Sequence, residues 1–254
     1  TTSDFKQTIQ MATAALELQG LNFNLSEEHL AVKEAARSFA QDELLPGVID
    51  RDNEAKFPAE QVKRMGEMGF LGMMVSPEYG GGGMDTVSYV LAMEEISKVD
   101  ASCSVIMSVN NSLVCYGLEA YGSEAQKQTY LTRLATGEII GAFCLSEPEA
   151  GSDATSQSTT AEDKGDHYLL NGTKNWITNG NSSSVCLVIA QTDREKKHRG
   201  INCLIVEKGL PGFVVGKKED KMGIRASDTH SLLFTDVKIP KANRIGDDGF
   251  GFKF

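Results

Sequence analysis

The stretch Ala142-Phe143-Cys144-Leu145-Ser146-Glu147-Pro148-Glu149-Ala150-Gly151-Ser152-Asp153 runs from an apolar, strand-like segment straight into carboxylates, a proline and a Gly-Ser pair. A turn needs a proline or a glycine, not this density of hydroxyl and acid. Small residues at Gly151 and Ser152 let main-chain N–H groups approach a phosphate, and the hydroxyl adds a donor. Further along, Asn175-Trp176-Ile177-Thr178-Asn179-Gly180 holds the single tryptophan of the chain. In a strand, Trp176 and Thr178 share a face. An aromatic wall with a hydroxyl beside it suits a planar heterocycle that has a polar edge. A core tryptophan packed beside a turn accounts for the same residues, and residue types alone leave both readings open.

Other chemistries are less well served. The net charge of −10 weighs against nucleic acid, whose affinity rests on neutralising phosphate with Lys and Arg. The histidines His29, His167, His198 and His230 have no metal-ligand spacing, so no metal site is expected. Cys103, Cys115, Cys144, Cys186 and Cys203 contain no C-x-x-C pair and are odd in number, which points to buried reduced thiols in a cytoplasmic protein. No apolar run is long enough for a membrane helix. The Gly-rich run Gly80 to Gly83 lacks the G-x-G-x-x-G spacing and follows a helix, and no phosphate-loop motif is present. Any nucleotide-containing cofactor is therefore held by another device, with the Glu147–Asp153 stretch as the candidate.

The elements that must position these residues fall into two blocks. Residues 1–20 lack a basic n-region and read as a leader or extension of unknown role. From residue 21 to 137 the pattern is helical. Ser26 caps a first helix with Glu27 and Glu28 in its first turn; Leu30, Ala35, Phe39 and Ala40 form its apolar side and Pro46 lies past its end. Pro58 opens a second helix with Val62, Met65 and Met68 inward. Asp85 or Thr86 starts a third, residues 102–122 read as an apolar central helix, and Ser123 with Gln126 forms a capping box. From 138 to 240 short runs rich in β-branched and aromatic residues alternate with turn residues. Asn171-Gly172 predicts a two-residue hairpin, and residues 194–200 a charged loop. The chain is α+β: an N-terminal α-helical domain, then an antiparallel β-barrel or sandwich, with no βαβ alternation.

Read together, Ala142–Ala154, Leu170–Asn179, Gly216–Thr229 and Asp236–Lys253 resemble the flavin-dependent acyl-CoA dehydrogenases. Met107–Leu113 and Gly216–Arg225 look most like the short-chain, butyryl-type members. The resemblance implies FAD held by Phe143, Cys144, Leu145, Ser146, Glu147, Pro148, Gly151 and Ser152, with Ser152 also near the acyl-CoA. It implies that Trp176, Ile177 and Thr178 flank the isoalloxazine, with the Thr178 hydroxyl near the reactive nitrogen. Glu149 stands where the family often has glycine, and a carboxylate there is expected to point to solvent. The implied reaction is α,β-dehydrogenation of a short-chain fatty acyl-CoA, with electrons passed to an electron-transferring flavoprotein by a homotetramer.

In the family a C-terminal four-helix domain follows the β domain; residues 241–254 are expected to be its truncated start, with the rest of that domain absent from this sequence. The base glutamate lies in a context not found in this sequence, so no catalytic residue is assigned, and the 254-residue chain is expected to be inactive by itself. The rival readings are a same-fold oxidase, such as an acyl-CoA or nitroalkane oxidase, and a non-catalytic module that binds FAD or acyl-CoA.

Overall fold

The computed structural model describes residues 24–253. The expectation for residues 1–20 lies outside them. Helix α1 (Glu27–Phe39) starts with a reciprocal cap: the His29 N–H donates to Ser26 Oγ, and the Ser26 N–H to His29 Nδ1. Ala36, Phe39 and Ala40 are buried, but Leu30 and Ala35, expected inward, are exposed. Leu30 is six residues before Ala36; at about 100° per residue it is turned well off the buried stripe. The chain continues as a π-wound turn, Ala40–Leu44. Helix α2 spans Val48–Asn53 and α3 spans Ala59–Glu67 after Pro58. Val62 and Met65 of α3 are buried, whereas Met68, expected inward, lies at the C-cap and is 48% exposed.

Asp85 caps α4 (Thr86–Ser97), accepting from the Ser88 N–H. Asp100 caps α5 (Ala101–Ser108), accepting from Ser102 and Cys103. This central helix continues through a π-wound segment, Val109–Cys115, into α6 (Tyr116–Tyr121). The Ser123–Gln126 capping box opens α7 (Glu124–Gln126), which leads through Lys127–Leu131 to α8 (Thr132–Ala135). Gln126 Nε2 also donates to the carbonyls of Ala242 and Arg244, tying the helices to the β block.

The strands are β1 (Gly141–Cys144), β2 (Thr160–Asp163), β3 (His167–Thr178), β4 (Val185–Gln191), β5 (Ile201–Glu207), β6 (Phe213–Lys218), β7 (Thr229–Pro240) and β8 (Arg244–Ile245). Their order is β6-β7-β3-β2-β4-β5-β8, with β1 also on β4. The sheet is mixed rather than wholly antiparallel, since β1 and β2 meet β4 in parallel. Parallel neighbours need a long crossover, and residues 145–184 supply one between β1 and β4. The sheet also passes the expected boundary at 240, because β8 pairs with β5. Residues 194–200, expected as a loop, form short 3₁₀ turns with a kink at Lys197.

The Asn171-Gly172 hairpin does not form. β3 runs straight through both residues with a register shift against β7. Gly172 has φ +147°, and a Cβ there would stand 2.4 Å from Thr159 Oγ1 and 2.7 Å from Thr159 Cα. The glycine serves a close approach between segments, not a turn. Asn171 exchanges hydrogen bonds with Asp236 on β7, at 3.0 and 2.9 Å.

β4 and β5 are buried on both faces, apart from Glu207 at the end of β5. On one face Leu187, Ile189, Cys203 and Ile205 pack with Val114, Leu118, Leu131 and Leu134 of the helices. On the other, Cys186, Val188, Leu204 and Val206 pack with Tyr168, Leu170, Leu232 and Phe234. This layering explains continuous apolar runs where a half-exposed strand would alternate.

Candidate functional site

Two adjacent buried asparagines fix the central helix, Asn110 against the start of β1 and Asn111 within the helical block. Asn110 Nδ2 donates to the Leu71 and Leu134 carbonyls, at 2.9 and 3.1 Å, and its Oδ1 accepts from Gly141 N at 3.0 Å. Asn111 Nδ2 donates to Phe70 and Met107 carbonyls, at 2.8 and 3.0 Å, and its Oδ1 accepts from Met73 N at 2.9 Å. A Cβ at Gly141 would meet Val114 at 2.5 Å, so glycine lets β1 start against the helix. β1 then leads Phe143 and Leu145 away along the helical face.

Where β1 ends, a cavity of about 350 Å³ opens, lined by Val109, Leu113, Phe143, Leu145, Ser146, Trp176, Ile177 and Thr178. Six of the residues singled out in the sequence thus converge. Trp176 is 60% exposed, which sets aside a core role for it. It reaches the cavity by a different route from regular pleating. The register of β3 shifts between Lys174 and Ile177, and Trp176 has φ +60°, the left-handed region that a bulky residue rarely adopts. This is a β-bulge that re-aims a side chain. The Ser146 and Thr178 hydroxyls have no hydrogen-bond partner among the described residues. Apolar walls, an exposed indole and two free hydroxyls are the donor set an isoalloxazine asks for: a flat ring system with one polar edge. The residues present fit the group.

Cys144 and Glu147, also expected at the cofactor, turn their side chains away. Cys144 is fully buried in the β core. Glu147 is 5% exposed. Its carboxylate accepts from Lys174 Nζ at 2.8 Å, Ser158 N at 2.6 Å, Ser158 Oγ at 2.8 Å and Thr159 N at 3.1 Å. Burial alone would raise this carboxyl, but the Lys174 ammonium and the donors of residues 158 and 159 outweigh it and hold it at about 2. Only main-chain groups of Cys144 and Glu147 are left for a ligand. Pro148, Gly151 and Ser152 are exposed on the turn beyond the cavity, where Glu147 and Ala150 bridge each other. A Cβ at Gly151 would meet nothing within 4 Å, so packing within the chain does not demand glycine there. Glu149 is exposed to solvent.

Sequence reasoning missed Val109 and Leu113, which line the cavity from the π-wound segment. Their spacing of four places them on one helical face, and the polar pair Asn110-Asn111 inside an apolar helix was the available signal. A second cavity of about 370 Å³ shares Leu113, Phe143 and Leu145 with the first and extends to Tyr116, Tyr121 and Phe252. Neither lining contains an Asp, Glu or His. Among the described residues no three of His, Cys, Asp and Glu are grouped to hold a metal ion, and no helix is long and apolar enough to cross a membrane.

Comparison with known proteins gives a consistent picture. Residues 26–138 match the acyl-CoA dehydrogenase N-terminal domain, and residues 142–237 the middle domain. The chain is 49% identical over 229 residues to the mouse (Mus musculus) short-chain specific acyl-CoA dehydrogenase, mitochondrial, covering 90% of this chain and 56% of the relative. The structure of butyryl-CoA dehydrogenase from Megasphaera elsdenii matches with a TM-score of 0.88 and 41% identity, covering 92% of this chain and 62% of that one. A chain solved in work on the electron transferring flavoprotein of Acidaminococcus fermentans matches with a TM-score of 0.90 and 46% identity, covering 92% and 61%. The chain thus spans less than two thirds of the length of these relatives. With a helical block and a β block that each match the corresponding domain in order, the chain belongs to the acyl-CoA dehydrogenase family, of which it carries the N-terminal and middle domains.

Proposed function

We propose that this chain forms the flavin-facing part of an FAD-dependent dehydrogenase that converts a short-chain fatty acyl-CoA to the trans-2-enoyl-CoA and passes the electrons to an electron-transferring flavoprotein. The observation that carries the reading is the cavity bounded by Phe143, Leu145, Ser146, Trp176, Ile177 and Thr178, with two free hydroxyls on an otherwise apolar wall. FAD, when bound, supplies the hydride acceptor. Val109, Leu113, Phe143, Leu145 and Ile177 exclude water from the reacting carbons, which strengthens every polar interaction inside. The Ser146 and Thr178 hydroxyls would donate to the cofactor's polar edge, and a donor aimed at developing charge lowers the barrier. Ser152, exposed on the following turn, is the residue we expect to meet the acyl-CoA. The lining has no carboxylate or imidazole, and Glu147 is fully engaged, so the acceptor of the α proton is not one of these residues. The short acyl chain rests on the mouse relative and the butyryl-CoA dehydrogenase structure. The flavoprotein partner rests on the work in which the Acidaminococcus chain was solved. A homotetramer belongs to the same reading, as does a cytoplasmic setting, with all five cysteines free and buried.

Trp176 is the single tryptophan, so its fluorescence tests the reading directly. FAD is expected to quench it saturably, and Thr178→Ala to weaken that binding by about three- to tenfold, as loss of one ordinary hydrogen bond would. Bound flavin is expected to stay unbleached on adding butyryl-CoA to this chain alone, for lack of a base. Absence of quenching, or equal affinity in Thr178→Ala, would remove the flavin assignment.

A further inference from the structure

Lys174 is the anomaly of the β block: a lysine whose side chain is wholly buried, paired with a Glu147 side chain only 1% exposed. Its ammonium donates to the Leu145 carbonyl at 2.9 Å, to Glu147 Oε1 at 2.8 Å and to Gln157 Oε1 at 3.3 Å. These acceptors stand on three separate stretches, the end of β1, the turn after it and the approach to β2. Lys174 itself is on β3, at the residue where the bulge begins that turns Trp176 outward. Next to it, the Asn175 N–H donates to the Ser146 carbonyl at 2.8 Å. Glu147 carries the linkage on to Ser158 and Thr159.

Stability alone does not ask for this arrangement, because a buried ion pair is often replaced by apolar residues without loss. An apolar side chain would fill the volume and make none of the three bonds. We infer that Lys174, with Glu147, is a positioning residue for the cavity: it holds the Leu145–Ser146 wall and the Trp176–Thr178 wall at a fixed spacing. Gln157, the third acceptor, also lines a separate polar cavity of about 520 Å³ with Thr155, Ser156, Arg194, Lys197 and His198, so the same ammonium also holds one residue of that lining.

The test uses Lys174→Met, the double variant Glu147→Leu/Lys174→Met, and Arg51→Met as control. Arg51 forms another buried ion pair, 3.0 Å from Asp100 in the helical block, and lines neither cavity. Trp176 anisotropy and acrylamide quenching are read without ligand, and FAD affinity by quenching of the same fluorescence. Lys174→Met is expected to lower the anisotropy, and to raise the Kd for FAD by at least about tenfold, in the range seen when supporting contacts behind a ligand site are removed. Arg51→Met is expected to lower Tm and move neither signal. The double variant is expected to regain Tm without regaining the wild-type anisotropy or Kd, and it decides the matter if Lys174→Met does not fold. Trp176 signals unchanged in the folded variants, or a double variant that regains wild-type anisotropy and affinity, would overturn the inference. It rests on the flavin reading only for the probe: a wild-type chain that ignores FAD would sink that reading, and the ligand-free Trp176 measurements would still decide this one.

Discussion

At Glu147 four donors from three residues meet one carboxylate. They hold its pKa near 2 against burial, while burial pulls the Lys174 ammonium below its ordinary range against the pull of Glu147. The carboxyl stays charged near neutrality. The carboxyl's folded pKa lies below its unfolded value of about 4.3. Its stabilisation is therefore complete above that unfolded value and is lost as pH falls through about 2. The difference amounts to roughly 3 kcal/mol at about 1.4 kcal/mol per unit. Comparing urea unfolding of the wild type with Glu147→Gln between pH 6 and pH 2 checks this. The stability gap is expected to narrow by that order as the pH drops, and a gap independent of pH would show the carboxyl is not held low.

The elements show why some of this was legible and some was not. The caps at Ser26, Asp85 and Ser123 were readable because a cap is chemistry within one turn. Asn171-Gly172 misled because its local preference for a hairpin gives way to a contact with Thr159, which sequence spacing does not reveal. Gly172→Ala is expected to cost at least about 2 kcal/mol, from backbone strain plus the clash with Thr159. Gly223→Ala, where a Cβ meets nothing within 4 Å, is expected to stay within about 0.5 kcal/mol. Thermal or urea unfolding of the pair separates the two, and equal effects would show that β3 does not need its close approach. β2 was missed because Thr-Ala-Glu-Asp is polar and buries only Ala161. The convergence of Phe143, Leu145, Ser146 and Trp176–Thr178 was readable from family resemblance. The inward turn of Cys144 and Glu147 was not, because it depends on which strand lies behind each. Nor was the bulge at Trp176, which breaks the alternation that the sequence argument used.

At the scale of the whole molecule the two blocks share material rather than merely touching. The Arg225 N–H donates to Asp52 Oδ1 at 2.7 Å, Lys218 reaches the Ala55 carbonyl, and one apolar cluster runs from the central helix into β4 and β5. All five thiols are buried, and burial pushes those of Cys103, Cys115 and Cys203 above the ordinary range. A thiol reagent needs both access and thiolate, so the native chain is chemically silent to it and each cysteine becomes a clock for the opening of its own neighbourhood. Cys115 and Cys203 sit on opposite sides of the seam in one cluster, while Cys103 belongs to the separate helical core. Timed alkylation read by peptide mass is expected to give Cys115 and Cys203 a common rate, because one cooperative opening uncovers both. A faster Cys203 would mean that the β block peels away first. Five buried sulfurs thus make the molecule a recorder of how it comes apart, with no reporter residue engineered in.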